Sequence, residues 1–233
     1  MGIAIPAQVR VVLESLTAEG YQAVLVGGCV RDQLRGVTPQ DYDVATDAHP
    51  ETVAALARVR GWGLVAQLGN LFGVVVVVID GQPVEVATFR QEAYGEDAHR
   101  PERVWYTDEL TLDLARRDFT VNAMAMTLAG DVIDPFDGQR DLSAGMLKTV
   151  GVGEQGFAED ALRLFRACRF ASQLNFSLAA ETEAAMRPSV PRIQGISLER
   201  VRTELNKLLL GVNPALGVRL LVRTGLAEAV CRK

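Results

Sequence analysis

The sequence predicts an α+β fold, with a mixed-sheet α/β domain over residues 1–148 followed by an all-α domain over residues 149–233. Three observations lead there. Short apolar runs alternate with helix-period segments in the front of the chain, and only helix-period segments follow from about residue 154 onward. Glycine and Asp-Gly signals punctuate the apolar runs of the front part. The charge also changes sign: residues 1–160 hold 12 Lys+Arg and 24 Asp+Glu, a net of −12, whereas residues 161–233 hold 12 and 5, a net of +7. An acidic front and a basic back suit two tasks, cation binding and contact with a polyanion.

Taken in order, residues 6–19 place Val9, Val12, Leu13 and Leu16 at helical spacing, with Gly20 as the stop. AVLVGG reads as a strand running into a tight glycine turn, VRDQLRG as a short helix ended by Gly36, and DYDVAT as a second strand. ETVAALARVRG is a helix with a terminal glycine. Residues 71–79 and 83–89 read as two strands joined at Asp80-Gly81, a strong hairpin signal. Residues 90–110 are polar, lack periodicity and read as a long functional loop. A helical pattern over LTLDLARRDFTVNAMAMTL, then a strand with turn chemistry in DVIDPFDGQRDL, completes the first domain. Helices are predicted over 158–174, 179–187, 197–210 and 213–226.

Several classes fall away. Cys29, Cys168 and Cys231 are odd in number and far apart, which fits neither a disulfide framework nor a zinc site and points to a reducing, cytoplasmic setting. The N-terminus lacks the long apolar run of a signal peptide. Val74–Ile79, the longest aliphatic run, is far too short to span a bilayer, so no membrane is expected.

Four constellations carry chemistry. The first is Gly27-Gly28 followed by Asp41-Tyr42-Asp43. On a strand, Asp41 and Asp43 face the same way, and two such carboxylates repel unless a cation lies between them. Mg²⁺ takes a few carboxylates plus phosphate oxygens, and the glycine pair offers backbone N–H groups to a triphosphate. Arg31 lies within reach of a phosphate. The second is Glu85 in the apolar strand VEVATF, either a third metal-site carboxylate or the exposed face of an edge strand. The third is Arg116-Arg117-Asp118-Phe119-Thr120-Val121-Asn122. On a helix Asp118 and Asn122 share a face and suit a ribose hydroxyl pair, or else cap an ordinary surface helix. The fourth is Glu159-Asp160 followed by Arg163, Arg166 and Arg169. Asp160 and Arg163, three apart on one helix, set an acceptor beside a forked donor. That pattern matches the amino group and ring nitrogen of cytosine and adenine and mismatches guanine and uracil. A plain salt-bridged helix is the alternative.

Together the stretches LVGGCVRD, DYDVAT, GNLFGVVVV, VEVATFR, ARRDFTVNAMA, EDALRLFRACRFASQLNF and SLERVRTELNKLL resemble the class II tRNA nucleotidyltransferase and poly(A) polymerase family, within the polymerase-beta nucleotidyltransferase superfamily. The resemblance implies a catalytic head domain and a helical neck. It implies metal ligands at Asp41 and Asp43, triphosphate contacts from Gly28, Arg31 and Arg117, and a ribose contact near Asp118. Asp160 and Arg163 would act as an amino-acid template for the incoming base, Glu159 would orient Arg163, and Arg166 and Arg169 would help bind the nucleotide. The implied activity is transfer of CMP and AMP, or AMP alone, from CTP and ATP to a tRNA 3′ end with Mg²⁺. Poly(A) polymerase and a non-catalytic nucleotide- or RNA-binding module are the alternatives. The long 90–110 loop resembles that of enzymes that add A rather than C alone.

Overall fold

The computed structural model describes residues 5–65, 73–95 and 101–231. The chain divides into two units. One comprises Met1–Glu92, Val104–Arg117 and Asn122–Phe136; the other comprises Ala93–Arg103, Asp118–Val121 and Asp137–Lys233.

In the first unit, helix α1 (Ala7–Ala18) buries Val9, Val12, Leu13 and Leu16, the stripe that its spacing predicts, and Gly20 ends it at φ +89°. Strand β1 (Ala23–Val26) leads through Gly27, at φ +77°, into the short helix α2 (Gly28–Leu34). Then come β2 (Asp43–Thr46), α3 (Pro50–Val59), β3 (Gly63–Leu64), β4 (Val74–Ile79) and β5 (Gln82–Thr88). The β4–β5 turn has Asp80 at φ +51° and Gly81 at φ +74°, the left-handed pair that a tight hairpin needs. Of the predicted strand over 71–79, residues 71–72 lie outside the described residues, as does the Gly69–Phe72 part of GNLFGVVVV.

The sheet order is β3-β4-β5-β2-β1, continued by β8 (Ala125–Met126) and β9 (Val132–Ile133). β2 and β5 pair in parallel and their neighbours antiparallel, so the sheet is mixed, as the fold class requires. β5 has β4 on one side and β2 on the other, so the edge-strand reading of Glu85 is wrong, although its side chain is exposed.

Two readings of the front part of the chain need correction. Residues 90–110 are not one loop: β6 (Arg90–Ala93) and β7 (Arg103–Tyr106) form a two-stranded ribbon, and α4 begins at Leu110. The ribbon escapes period-based detection because charged pairs, Arg90 with Glu92 among them, stand where alternating apolar residues would. Residues 96–100 of this predicted loop lie outside the described residues. The predicted helix over 110–128 stops as α4 (Leu110–Ala115); Phe119 bridges to Thr149, Thr120–Asn122 is a 3₁₀ turn, and β8 follows. Phe119, Val121, Ala123, Met124, Ala125 and Met126 are all buried, a continuous run rather than a helical stripe. The Asp118 carboxylate also accepts a bond from the Phe119 N–H, a local turn bond that competes with helix. Asp118 and Asn122 therefore do not share a helix face.

The second unit holds α5 (Gly138–Ser143), β10 (Met146–Leu147), α6 (Gly153–Glu159), α7 (Leu162–Leu174), β11 (Ser177–Leu178), α8 (Ala180–Ser189), α9 (Leu198–Leu209), α10 (Pro214–Thr224) and α11 (Leu226–Cys231). α7 is its axis: Leu164, Phe165, Ala167, Cys168 and Ala171 sit in a core with Phe157, Met186, Val201, Leu208 and Leu220. Each fully buried aliphatic or aromatic side chain contributes roughly 1.5–3 kcal/mol, and this density of them makes α7 a rigid support. The single helix predicted over 158–174 is in fact two, because Asp160 is extended (φ −141°, ψ 102°) and its carboxylate accepts from the Leu162 N–H at 3.0 Å. Asp is a poor interior residue and a good helix starter, so the break falls there. Among the described residues no helix is long and apolar enough to cross a membrane.

Candidate functional site

The acidic face of the first unit is set by strand register. Asp43 opens β2 directly opposite Glu85 of parallel β5, so their exposed side chains lie side by side on one face of the sheet. Asp41 lies two residues before the strand starts, not on it. Its charge is nonetheless felt by both neighbours. Desolvation raises the pKa of Asp43 most; Arg117 pulls it down and Asp41 pushes it up, with a net rise. Glu85 is also raised, first by desolvation, then by Asp43 and Asp41. Like charges gathered this way favour a bound cation. Among the described residues no group of three or more His, Cys, Asp or Glu is arranged to hold a metal alone. The hard oxygens of Asp41 and Asp43 suit an ion that takes its remaining ligands from phosphate and water.

Beside this face lies Gly27, buried, with its N–H donated to the Met124 carbonyl at 3.2 Å. A Cβ added there would stand 2.9 Å from Arg117 Nη1 and 3.9 Å from Asp43 Oδ2. Glycine is needed at this position both for its positive φ and for the approach of the guanidinium. Arg117 Nη2 donates to Asp113 Oδ2 at 3.3 Å. Arg31 is buried; Nη1 donates to Asn122 Oδ1 at 2.6 Å, and Nε and Nη2 donate to the Asp32 carboxylate. Gly28 sits 3.5 Å (from an added Cβ) from Arg31 Nη2. Gly27, Gly28, Arg31, Asp41, Asp43, Glu85, Arg117 and Asn122 thus all belong to the first unit.

The second unit collects the rest. Asp118 is buried and its Oδ2 accepts from Arg166 Nε at 2.7 Å. Burial alone would lower the Arg166 pKa; Asp118 above all reverses this, so it ends above its usual value. Glu159 ends α6, and its Oε2 accepts from Arg163 Nη1 at 3.4 Å. Gly156 makes room for that guanidinium, since a Cβ there would meet Arg163 Nη1 at 3.1 Å. Asp160 Oδ1 is held by the Leu162 N–H, while Oδ2 lies 3.7 Å from Arg200. The single predicted helix carrying Asp160 and Arg163 is broken at Asp160, but the two stay neighbours: the Arg163 N–H donates to the Asp160 carbonyl at 3.0 Å. Arg169 is buried against Glu204, Nε to Oε2 at 2.6 Å but off the line of a hydrogen bond, and stacks on Phe170 at 3.9 Å.

Sequence reasoning did not single out Asp113, Glu204 or Arg200. Asp113 had a signal, since it stands three and four residues before Arg116 and Arg117. Glu204 and Arg200 pair across helices and leave no such trace.

Comparison with known proteins identifies the family. The model of the poly A polymerase head domain matches residues 23–148, and that of the probable RNA and SrmB-binding site of polymerase A matches residues 175–232. The chain is 43% identical over 215 residues to the CCA-adding enzyme of Lactiplantibacillus plantarum, covering 92% of this chain and 52% of the relative. It is 44% identical over 216 residues to that of Geobacillus thermodenitrificans, covering 93% and 52%. Among solved structures it resembles the Bacillus stearothermophilus CCA-adding enzyme in complex with CTP (TM-score 0.86, 40% identity, covering 96% of this chain and 53% of the other). It also resembles the Thermotoga maritima CCA-adding enzyme complexed with tRNA (TM-score 0.83, 26% identity, covering 99% and 54%). The chain therefore spans about half the length of the curated relatives it matches. With the head-domain model covering more than half of its residues, this chain belongs to the poly A polymerase head-domain family, which the CCA-adding enzymes share.

Proposed function

We propose that this chain is a template-independent nucleotidyltransferase that adds CMP and AMP, or AMP alone, from CTP and ATP to the 3′ end of tRNA in the cytoplasm, releasing pyrophosphate. The observation that carries this reading is the register of Asp43 against Glu85, with Asp41 adding to the same field and Arg117 lodged against Gly27. In this reading residues 1–148 are the head and residues 149–233 the neck.

Asp41 and Asp43 would hold Mg²⁺, with Glu85 deepening the negative field beside them. Bound Mg²⁺ would ease deprotonation of the attacking ribose hydroxyl and neutralise charge on the departing pyrophosphate. The terminal hydroxyl attacks the α-phosphorus, the α–β phosphoanhydride bond breaks, and pyrophosphate leaves. Gly28 lets phosphate approach the backbone, whereas the Gly27 N–H, expected from the sequence to serve the triphosphate too, is taken by the Met124 carbonyl, and Gly27 instead makes room for Arg117, which neutralises the phosphate from the side. Arg31, clamped by Asn122 and Asp32, contributes positive field and holds this wall. Asp118, held in place by Arg166, accepts from the ribose. Asp160 and Arg163 read the base, with Glu159 orienting Arg163. Arg169, fixed by Glu204, supports the same helix face.

The test is incubation with Mg²⁺, CTP and ATP, singly and together, and a tRNA lacking its terminal CCA. Sequential CMP and AMP addition supports the CCA reading, AMP on a CC-ended tRNA the A-adding one. Long A tails on an unrelated RNA would favour poly(A) polymerase, and metal-dependent nucleotide binding without any incorporation would leave a binding module.

A further inference from the structure

Asp113 is 1% exposed, near the end of α4, and none of the roles assigned above uses it. Resting on the reading of Arg117 as a phosphate contact, we propose that Asp113 is a positioning residue that aims the Arg117 guanidinium at the triphosphate of the incoming nucleotide. Its two oxygens are divided between two tasks. Oδ1 accepts from Arg116 Nε at 3.0 Å, from Arg116 Nη2 at 2.8 Å and from the Arg90 N–H at 3.2 Å. Arg116 is held in turn by Glu92 Oε1 at 3.2 Å, which also accepts from Arg90 Nε at 2.8 Å. Oδ1 is thus locked in a frame built from α4 and β6. Oδ2 is left to Arg117 Nη2.

The consequence for Arg117 is directional. Nη2 is tethered, and Nη1 lies over Gly27, so the fork opens toward the glycine turn and Asp43. Its Nε is buried without a hydrogen-bond partner among the described residues, so Nη1 is the donor presented on the glycine side. The tether itself is long, 3.3 Å, and so orients the guanidinium without competing strongly with a phosphate. Both arginines pull the Asp113 pKa down against the upward push of burial, so the tether is charged at neutral pH.

The experiment is equilibrium binding of ATP and of AMP, with Mg²⁺, to the full chain. Asp113→Asn should weaken ATP about tenfold and leave AMP unchanged, because only the longer phosphate chain meets Arg117. Arg117→Ala should do the same, and the double variant should be no worse than Arg117→Ala alone. KM for the RNA should not move in any of them. Equal losses for ATP and AMP, or fully additive effects in the double variant, would show that Asp113 merely supports the fold and would overturn the proposal. If Arg117→Ala weakens ATP but Asp113→Asn does not, the positioning role fails alone; if neither does, the phosphate reading of Arg117 fails with it. Should Asp113→Asn not fold, Asp113→Glu decides: displacement by one methylene should cost ATP affinity about threefold, and unchanged affinity overturns the inference.

Discussion

In the first unit desolvation, then Asp43 and Asp41, push the pKa of Glu85 upward, and no salt bridge among the described residues engages any of the three. In the second unit Arg163, Arg166 and Arg169 each lie beside a carboxylate: Glu159, Asp118 and Glu204. The first arrangement costs stability until a cation arrives. The second is already neutralised, so its arginines are held in place before anything binds. On the proposed reading, the contrast separates two tasks: chemistry that needs added positive charge in one unit, and recognition by prearranged donors and acceptors in the other.

The largest effect should come from the acidic face. Asp41→Ala or Asp43→Ala is expected to lower incorporation by about a thousandfold or more, with the circular dichroism spectrum unchanged. Near-normal turnover in either variant would remove the metal assignment. Next, breaking a paired charge in the second unit should cost stability. Arg169→Ala leaves Glu204 buried and unpaired, side chains 9% and 8% exposed in the intact pair, at a cost of about 3–5 kcal/mol. The apolar double variant Arg169→Met with Glu204→Leu should recover most of it. Denaturant titration of both variants checks the contrast, and equal losses in the two would argue against a charge-pair origin.

A smaller effect tests the unsatisfied charge of the first unit. Asp43 and Glu85 have folded pKa values above those of the unfolded chain. The stability linked to them is therefore fully present below the ordinary carboxylate range and is lost as pH rises through the raised values. Mg²⁺ should restore it, so thermal stabilisation by the ion is expected at neutral pH, of roughly 2–3 kcal/mol at a hundredfold excess over Kd, and should fade in acid. Stabilisation that persists in acid, or survives in Asp43→Asn, would locate the ion elsewhere. The smallest effect concerns residues 90–110: shortening this segment should depress AMP addition while CMP addition continues. Loss of CMP addition alone would contradict the resemblance of this segment to that of A-adding enzymes.

Local signals were the legible ones. Asp80-Gly81 marked the β4–β5 hairpin and Gly20 ended α1, because turn chemistry acts within a few residues. The partnership of Asp43 with Glu85 was not legible, since it depends on β2 and β5 meeting across 42 residues of sequence. Helical period misled twice. Over 119–126 the residues are buried on all sides, so their pattern carries no period, and tertiary pairing decides. At Asp160 a single carboxylate diverts the backbone and divides one predicted helix into α6 and α7. The candidate residues were named partly from their chemistry and partly from the family resemblance, but their partners, Glu204 for Arg169 and Arg166 for Asp118, emerge only from the fold.

The division of labour between the units is tested most directly by incorporation of all four nucleotides, measured for the intact chain, Asp43→Asn and Arg163→Ala under one condition with Mg²⁺. Asp43→Asn should lower every nucleotide by the same factor, leaving the preference for C and A over G and U intact. Arg163→Ala should relax that preference, since each lost bond to a charged group is worth roughly 1.5–3 kcal/mol of discrimination. An unchanged preference in Arg163→Ala, or an altered one in Asp43→Asn, would contradict the account.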